Sequence, residues 1–186
     1  MQPAQSAATP FDMQPQLRGP TLWLRPLQAS DQDALWEVAR DPLVWDQHPD
    51  KTRSQREGFL RFFQNSLESG GALGVIHAAS GRIIGSSRFY DWDPVRREAA
   101  IGYTFLSRQF WGGPTNREMK ELMLAHVMRW ADRVWFHVAA TNQRSRRAME
   151  KLGARAAFEG KRPVNGELID FVYYRIDAPQ VRARSA

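Results

Sequence analysis

Cysteine is absent from the 186 residues, which excludes disulfides, a thiolate nucleophile and cysteine-ligated zinc or iron–sulfur centres. No apolar run approaches the roughly 20 residues that a membrane-spanning helix needs. The first 20 residues hold Arg18 as their only base and no apolar segment, so no secretory signal is expected, and the cytoplasm is the expected compartment. Nucleotide motifs are missing too: there is no Walker loop and no Gly-x-Gly-x-x-Gly. His48 and His77 have no close partners at metal-ligand spacing, so no metal site is expected. Acidic residues are in deficit, 20 against 26 Lys and Arg, leaving a net charge of +6. What is present is ordinary for a folded soluble chain, 42% apolar and 25% charged, at a length that accommodates one domain with a sizeable core.

The surplus base falls in separate segments: Arg96-Arg97, Arg144-Ser145-Arg146-Arg147 and the last residues. It suits a solvated surface or a phosphorylated cofactor. A nucleic-acid stripe fits less well, because Arg144, Arg146 and Arg147 fall on several sides of a helix rather than along one line.

Residues 1–19 are rich in Gln, Ala and Pro and read as a flexible tail. Residues 20–177 form the single expected domain, and 178–186 a short second tail. Residues 21–25 alternate as a strand. Ser30 with Asp33, and Ser54 with Glu57, have capping-box spacing before two short helices. The second helix carries Phe59, Phe62, Phe63 and Leu67 on one stripe and stops at Gly70-Gly71. Strands are then predicted over 72–78, 82–90 and 98–106. Connections this short favour an antiparallel meander, since parallel pairs need a long crossover. Helix over 115–131, strand over 133–138, helix over 142–152 and stop at Gly153 follow. Asn165-Gly166 is a hairpin signal before a strand over 168–176. The fold class is therefore mixed α/β. His126 falls on the apolar stripe of its helix and reads as a core-bordering histidine holding a backbone carbonyl. His137 sits within a strand, either structural or lining a cleft.

The most informative stretch is Phe110-Trp111-Gly112-Gly113-Pro114-Thr115-Asn116-Arg117-Glu118. Paired glycines before a helix start expose free amides at the positive end of the dipole, which can hold phosphate. Thr115 and Glu118 have capping-box spacing. Pro114 cannot donate, so an anion depends on the N–H groups of Gly112, Gly113 and the first helical residues. Read alone, the sequence leaves two alternatives, an anion cradle or a structural turn.

Ile101-Gly102-Tyr103-Thr104-Phe105-Leu106, this loop, Asn116-Arg117-Glu118-Met119-Lys120 and the later Asn142-Gln143-Arg144-Ser145-Arg146-Arg147-Ala148-Met149-Glu150-Lys151-Leu152-Gly153-Ala154 together resemble the GCN5-related N-acetyltransferases (GNAT). The resemblance runs over residues 21–176 and is closest to the branch that acetylates ribosomal proteins and amino-acid N-termini. It implies a mostly antiparallel central sheet flanked by helices, with acetyl-coenzyme A in a cleft between two splayed strands. Phe105 and Leu106 would bond the pantetheine arm through their backbone, and Asn142 would face it. Gly112, Gly113, Thr115 and Asn116 would hold the pyrophosphate, with Arg108, Gln109 and Arg117 around it and Arg144 at the adenosine end.

The chemistry so implied is attack of a neutral amine on a thioester, with a proton for the departing thiolate. Many relatives place a tyrosine donor where this chain has Met149, which cannot donate. Ser145, one turn earlier, matches a hydroxyl position proposed as proton donor in the N-terminal acetylating branch, with a place on the helix surface or a coenzyme contact as the alternative. The family's frequent glutamate is replaced by Ala100. Glu98 is two residues earlier on the same strand face, about 7 Å away, as base or water relay, substrate ligand, or ordinary surface acid. The expected activity is acetyl transfer from acetyl-coenzyme A to a protein N-terminus or a small amine, by a monomer or homodimer. A binding module that kept the fold without the chemistry is the alternative, which Met149, Pro114 and Ala100 favour.

Overall fold

The computed structural model describes residues 10–179. Twelve regular elements follow in order: β1 (Leu17–Arg18), β2 (Leu22–Pro26), α1 (Gln32–Ala39), α2 (Arg56–Glu68), β3 (Ala72–His77), β4 (Ile83–Asp93), β5 (Glu98–Leu106), α3 (Thr115–Val127), β6 (Arg133–Ala139), α4 (Gln143–Leu152), β7 (Arg155–Val164) and β8 (Glu167–Asp177). The strands form one sheet in the order β1-β2-β3-β4-β5-β6-β8-β7. Every neighbouring pair is antiparallel except β5 and β6. That parallel pair is joined by α3, the crossover such a connection requires.

Two apolar layers sandwich the sheet. One packs Met119, Met123 and Val127 of α3 and Met149 of α4 against Leu22, Leu24, Leu73, Val75 and Phe136. The other packs Leu35 of α1 and Phe59, Phe62 and Phe63 of α2 against Ala72 and Phe105. Period-two alternation along the strands divides them: Leu73 and Val75 face the first layer, and Ala72 the second.

The helix starts depart from expectation for a common reason: capping has moved away from the predicted residues. A 3-10 turn at Ala29–Asp31 precedes α1, and Asp31, not Ser30 or Asp33, accepts Gln28 N–H at 2.9 Å. Another at Lys51–Ser54 precedes α2 and is capped by Asp50. Ser54 donates its hydroxyl to the Lys51 carbonyl instead. At α3 the N-cap is Pro114, whose carbonyl accepts Glu118 N–H at 2.8 Å. Thr115 is therefore inside the helix. The Glu118 carboxylate does not cap either; it accepts the Thr21 N–H at 2.9 Å and the Thr21 hydroxyl, pinning α3 to β2.

The expected flexible tail is corrected over 10–19; its residues 1–9 lie outside the described residues. Leu17–Arg18 pair with β2, and Phe11 inserts among Phe89, Trp92, His126 and Trp130. His126 Nε2 bonds the Asp12 carbonyl at 2.7 Å, the carbonyl-holding role its sequence position suggested. β4 runs on through Asp93, so Trp92 lies in a strand rather than a connection and packs on Phe11. Of the second expected tail, residues 178 and 179 are described and 180–186 are not. β7, which carried no strand expectation of its own, pairs with β8 through the Asn165-Gly166 turn. Both turn residues have positive φ, 50° and 86°.

Candidate active site

β5 and β6 pair only at Glu98↔Arg133, Ala99↔Val134 and Ala100↔Trp135. Beyond that point they part, because β6 stays with β8 as far as Ala139 while β5 follows β4. A bulge reinforces the divergence. Between Gly102↔Arg88 and Phe105↔Ser86, β5 carries one residue more than β4, and Tyr103 takes φ 51°. Such a bulge bends a strand and re-aims its side chains. From Ile101 to Phe105 the β5 edge facing β6 has no strand partner among the described residues, which leaves it open to a ligand.

The gap opens into a cleft of about 820 Å³. Gly112, Gly113, Pro114, Asn116 and Arg117 line one end, and Asn142, Ser145, Arg147 and Lys151 border it from α4. Gly112 has φ +73°, and a Cβ added to either glycine meets nothing within 4 Å. The glycines therefore serve no internal packing need; they leave the space before α3 open. Pro114 contributes no N–H, but Thr115, Asn116 and Arg117 head the helix with their amides free. The residues present fit a phosphorylated, extended cofactor: open backbone, a helix N-terminus and a basic shell.

Of the expected cofactor residues, Phe105, Leu106, Gly112, Gly113, Asn116, Arg117, Asn142 and Arg144 line the cleft. Asn142 caps α4, its Oδ1 accepting Ser145 N–H at 3.0 Å, which leaves its Nδ2 to serve a ligand. Three are elsewhere. Arg108 is held by Asp41, whose carboxyl its hydrogen bond pushes below the usual range. Gln109 lines a separate pocket with His77 and Phe110. Thr115 is buried and outside the lining. Arg144 does not extend away from the fold: it bonds Asp46 at 3.0 Å and the Val44 carbonyl at 3.1 Å, and lies 4.0 Å from the Trp111 ring centroid. Trp111 in turn donates Nε1–H to the Leu106 carbonyl at 2.9 Å, fixing the loop to the end of β5.

Ser145 lines the cleft, but Glu98 does not. Glu98 stands where β5 and β6 are still paired, and both its oxygens are taken, by Arg133 at 2.8 Å and Trp135 Nε1 at 2.9 Å. Its expected role as base or relay is therefore unsupported by its position. His137 does reach the cleft. Its Nδ1 accepts from Arg162, which can only donate, and lies 2.9 Å from the Tyr90 hydroxyl. The ring is thus a neutral imidazole with its proton on Nε2; burial, then the Arg162 charge, push its pKa down to about 4. A base nitrogen so engaged cannot collect a proton from an amine.

Lys120 had not been singled out. It is 3% exposed, lines the cleft, and donates to Thr104 Oγ1 at 2.6 Å and Ser87 Oγ at 3.2 Å. Its Nζ lies 5.9 Å from the Phe136 ring centroid, beneath the point where the strands part. Among the described residues no carboxylate pairs with it, and burial pushes its pKa down to about 7. The sequence signal was available: Lys120 shares the α3 stripe of Asn116, Met123 and Val127, where a lysine is out of place. Arg53, also in the lining, lies within the 3-10 turn Lys51–Ser54, a segment with no repeating pattern to mark it in the sequence.

A family model of the acetyltransferase (GNAT) domain matches residues 21–155. Among solved structures, a GCN5-related N-acetyltransferase from Brucella melitensis superposes with TM-score 0.81 at 21% identity, over 90% of this chain and 80% of that one. The acetyltransferase (GNAT family) from Bacillus anthracis gives 0.69 at 20%, over 87% and 98%. The microcin C7 self-immunity acetyltransferase MccE, solved in complex with acetyl-CoA and AMP, gives 0.72 at 13%, over 86% and 94%. No curated protein matches the sequence. With a domain match over most of its length, a sheet split between β5 and β6 and a glycine loop at the head of α3, this chain belongs to the GNAT acetyltransferases, the family that uses acetyl-CoA as acetyl donor.

Proposed function

We propose that the protein is an N-acetyltransferase that moves an acetyl group from acetyl-coenzyme A to a primary amine. The observation that carries this reading is the cleft itself, which runs between the parted strands from a phosphate-suited loop to an aromatic chamber on the other face. Acetyl-coenzyme A supplies an activated acyl group as a thioester. The chain's residues do the rest. Gly112, Gly113 and the first amides of α3 hold the pyrophosphate, with Arg117 nearby. The free β5 edge from Ile101 to Phe105 and Asn142 Nδ2 align the pantetheine amides. Ser145 from α4, with Lys120 from below, would hydrogen-bond the departing thiolate, a task Met149 cannot perform without a polar hydrogen.

No dedicated base is needed if the amine enters neutral, its proton having gone to water. The thiol leaving group, with an ordinary pKa of about 8.5, is itself a modest base once expelled. The test is calorimetry with acetyl-CoA, followed on the same sample by thiol release across a library of small amines and protein N-termini. Binding without transfer to any acceptor sinks the transferase reading and leaves a coenzyme-binding module.

A further inference from the structure

The cleft is lined by no aspartate or glutamate among the described residues, whereas Arg53, Arg117, Arg144, Arg147, Lys120 and Lys151 all line it. The coenzyme's phosphates account for the bases of α3 and α4. They do not account for Arg53, which lies in the chamber on the α2 face. There Trp45 and Phe62 stand 5.1 and 5.8 Å from the Phe105 ring. The Arg53 guanidinium rests 4.4 Å from the Phe62 centroid and 5.5 Å from that of Trp45. Its Nε donates to Asp50 at 3.1 Å, and neither Nη nitrogen has an acceptor among the described residues.

Arg88 lies behind Tyr103, its guanidinium 4.1 Å from that ring centroid. It is 7% exposed; Nη2 donates to Ser66, and Nε is buried without any acceptor. Arg162 points its guanidinium at neutral His137. His48, also in the lining, is neutral because burial pushes its pKa down to about 3. Arg53 thus lines the chamber, with Arg88 behind the lining residue Tyr103 and Arg162 behind His137, and among the described residues Asp50 is the only carboxylate that pairs with any of the three. Asp50 is itself anchored by Thr52 and by Asn165 of the β7–β8 turn, so it cannot turn to serve another cation.

Buried positive charge without a partner is costly, and a matching anion relieves that cost. A polyamine or lysine-rich peptide would instead add like charge to the chamber. A carboxylate or phosphate matches the flat fork of a guanidinium, which two Nη nitrogens can engage together. We propose that this chamber binds the anionic group of the acceptor, so that the amine acetylated belongs to a small amino acid or aminoalkyl phosphate held by the free Nη nitrogens of Arg53. The inference deepens the N-acetyltransferase reading and rests on it.

The test measures thiol release from acetyl-CoA by the full chain with matched amines: β-alanine and O-phosphoethanolamine against neutral β-alaninamide and ethanolamine, and against spermidine. The expected result is a kcat/KM at least about tenfold higher for one anionic amine, corresponding to about 1.4 kcal/mol, and the two anionic arms separate carboxylate from phosphate. Arg53→Gln should abolish the preference through KM while acetyl-CoA binding persists, and Arg53→Lys should restore part of it. Because Arg53 also packs on two rings, wild-type protein provides an independent measurement: propionate or, for a phosphate reader, methyl phosphate should compete with the amine. Equal or better turnover of neutral or cationic amines overturns the proposal while leaving the transferase intact. Failure of every amine, with acetyl-CoA bound, overturns the transferase reading and this one with it.

Discussion

Lys120 permits a test of the cleft's electrostatics that needs no substrate. Burial moves it from its ordinary 10.5 to about 7, roughly 5 kcal/mol of preference for the neutral amine at about 1.4 kcal/mol per pH unit. Below pH 7 both native and unfolded chains hold the ammonium, and the native state bears the whole cost. Between 7 and 10.5 the native chain has released the proton while the unfolded chain keeps it, so stability rises with pH. Between pH 7 and 9, starting from a half-titrated lysine, the wild type should therefore gain about 2 kcal/mol, or roughly 5–9 °C in Tm for a chain of this size. Lys120→Met removes the charge at similar volume. Ser87 Oγ and Thr104 Oγ1, 2.8 Å apart, can then satisfy each other. At pH 7 that variant should be more stable by about 1–4 kcal/mol, with the advantage shrinking toward pH 9. Urea titrations at pH 6, 7, 8 and 9 provide the measurement. His48 and His137 titrate well below this window, near 3 and 4. A wild type whose stability is flat from pH 7 to 9, or a methionine variant that is weaker at pH 7, refutes the reasoning.

Four further outcomes follow from the geometry. Asn142→Asp keeps the oxygen that caps α4 but loses the Nδ2 donor, so acetyl-CoA Kd should rise about tenfold with Tm nearly unchanged; unchanged Kd by calorimetry removes Asn142 from the coenzyme site. Ser145→Ala should lower kcat about tenfold, the loss of one hydrogen bond of roughly 1.4 kcal/mol, with acetyl-CoA Kd constant; normal turnover removes Ser145 from the thiolate-donor role. Pro114→Ala restores a helix-head N–H and should tighten acetyl-CoA about tenfold through one charge-assisted bond of roughly 1.5 kcal/mol; an unaltered affinity shows that this position faces away from the phosphates. Glu98→Gln should leave kcat and its pH profile unchanged, since its carboxylate is spent on Arg133 and Trp135; a large kcat loss in a stably folded variant would falsify its placement outside the site.

The parts of the fold that were legible from sequence are those governed by local rules. Glu98–Leu106 was bounded correctly because glycine- and proline-poor alternation ends at a loop. Gly153 stops α4 at φ 87°, and Asn165-Gly166 turns the final hairpin, because both need left-handed backbone. The misses come from contacts distant in sequence. Thr115 has the chemistry of a cap, but the tie that matters runs from Glu118 to Thr21. Phe11 was assigned to a tail because nothing nearby reveals a socket built from Phe89, His126 and Trp130. The site divides similarly. The loop and Asn142 could be read as motifs, whereas Arg53 and Lys120 gain meaning only when the folded chain brings them to one cleft.

Arg144 gives the two halves of the cleft a shared fate. It is rooted in the first turn of α4, on the coenzyme side, yet it grips Asp46 and the Val44 carbonyl, while its own N–H donates to Gln47 Oε1 at 3.0 Å. Trp45 and His48, on the same short segment, line the chamber opposite. Whatever steadies α4 therefore also steadies the wall that carries Trp45 and His48. A ligand that tightened this strut from one end would raise affinity at the other, by the same factor in both directions. Through the strut, two ligands would be coupled without either touching the residues that hold its companion.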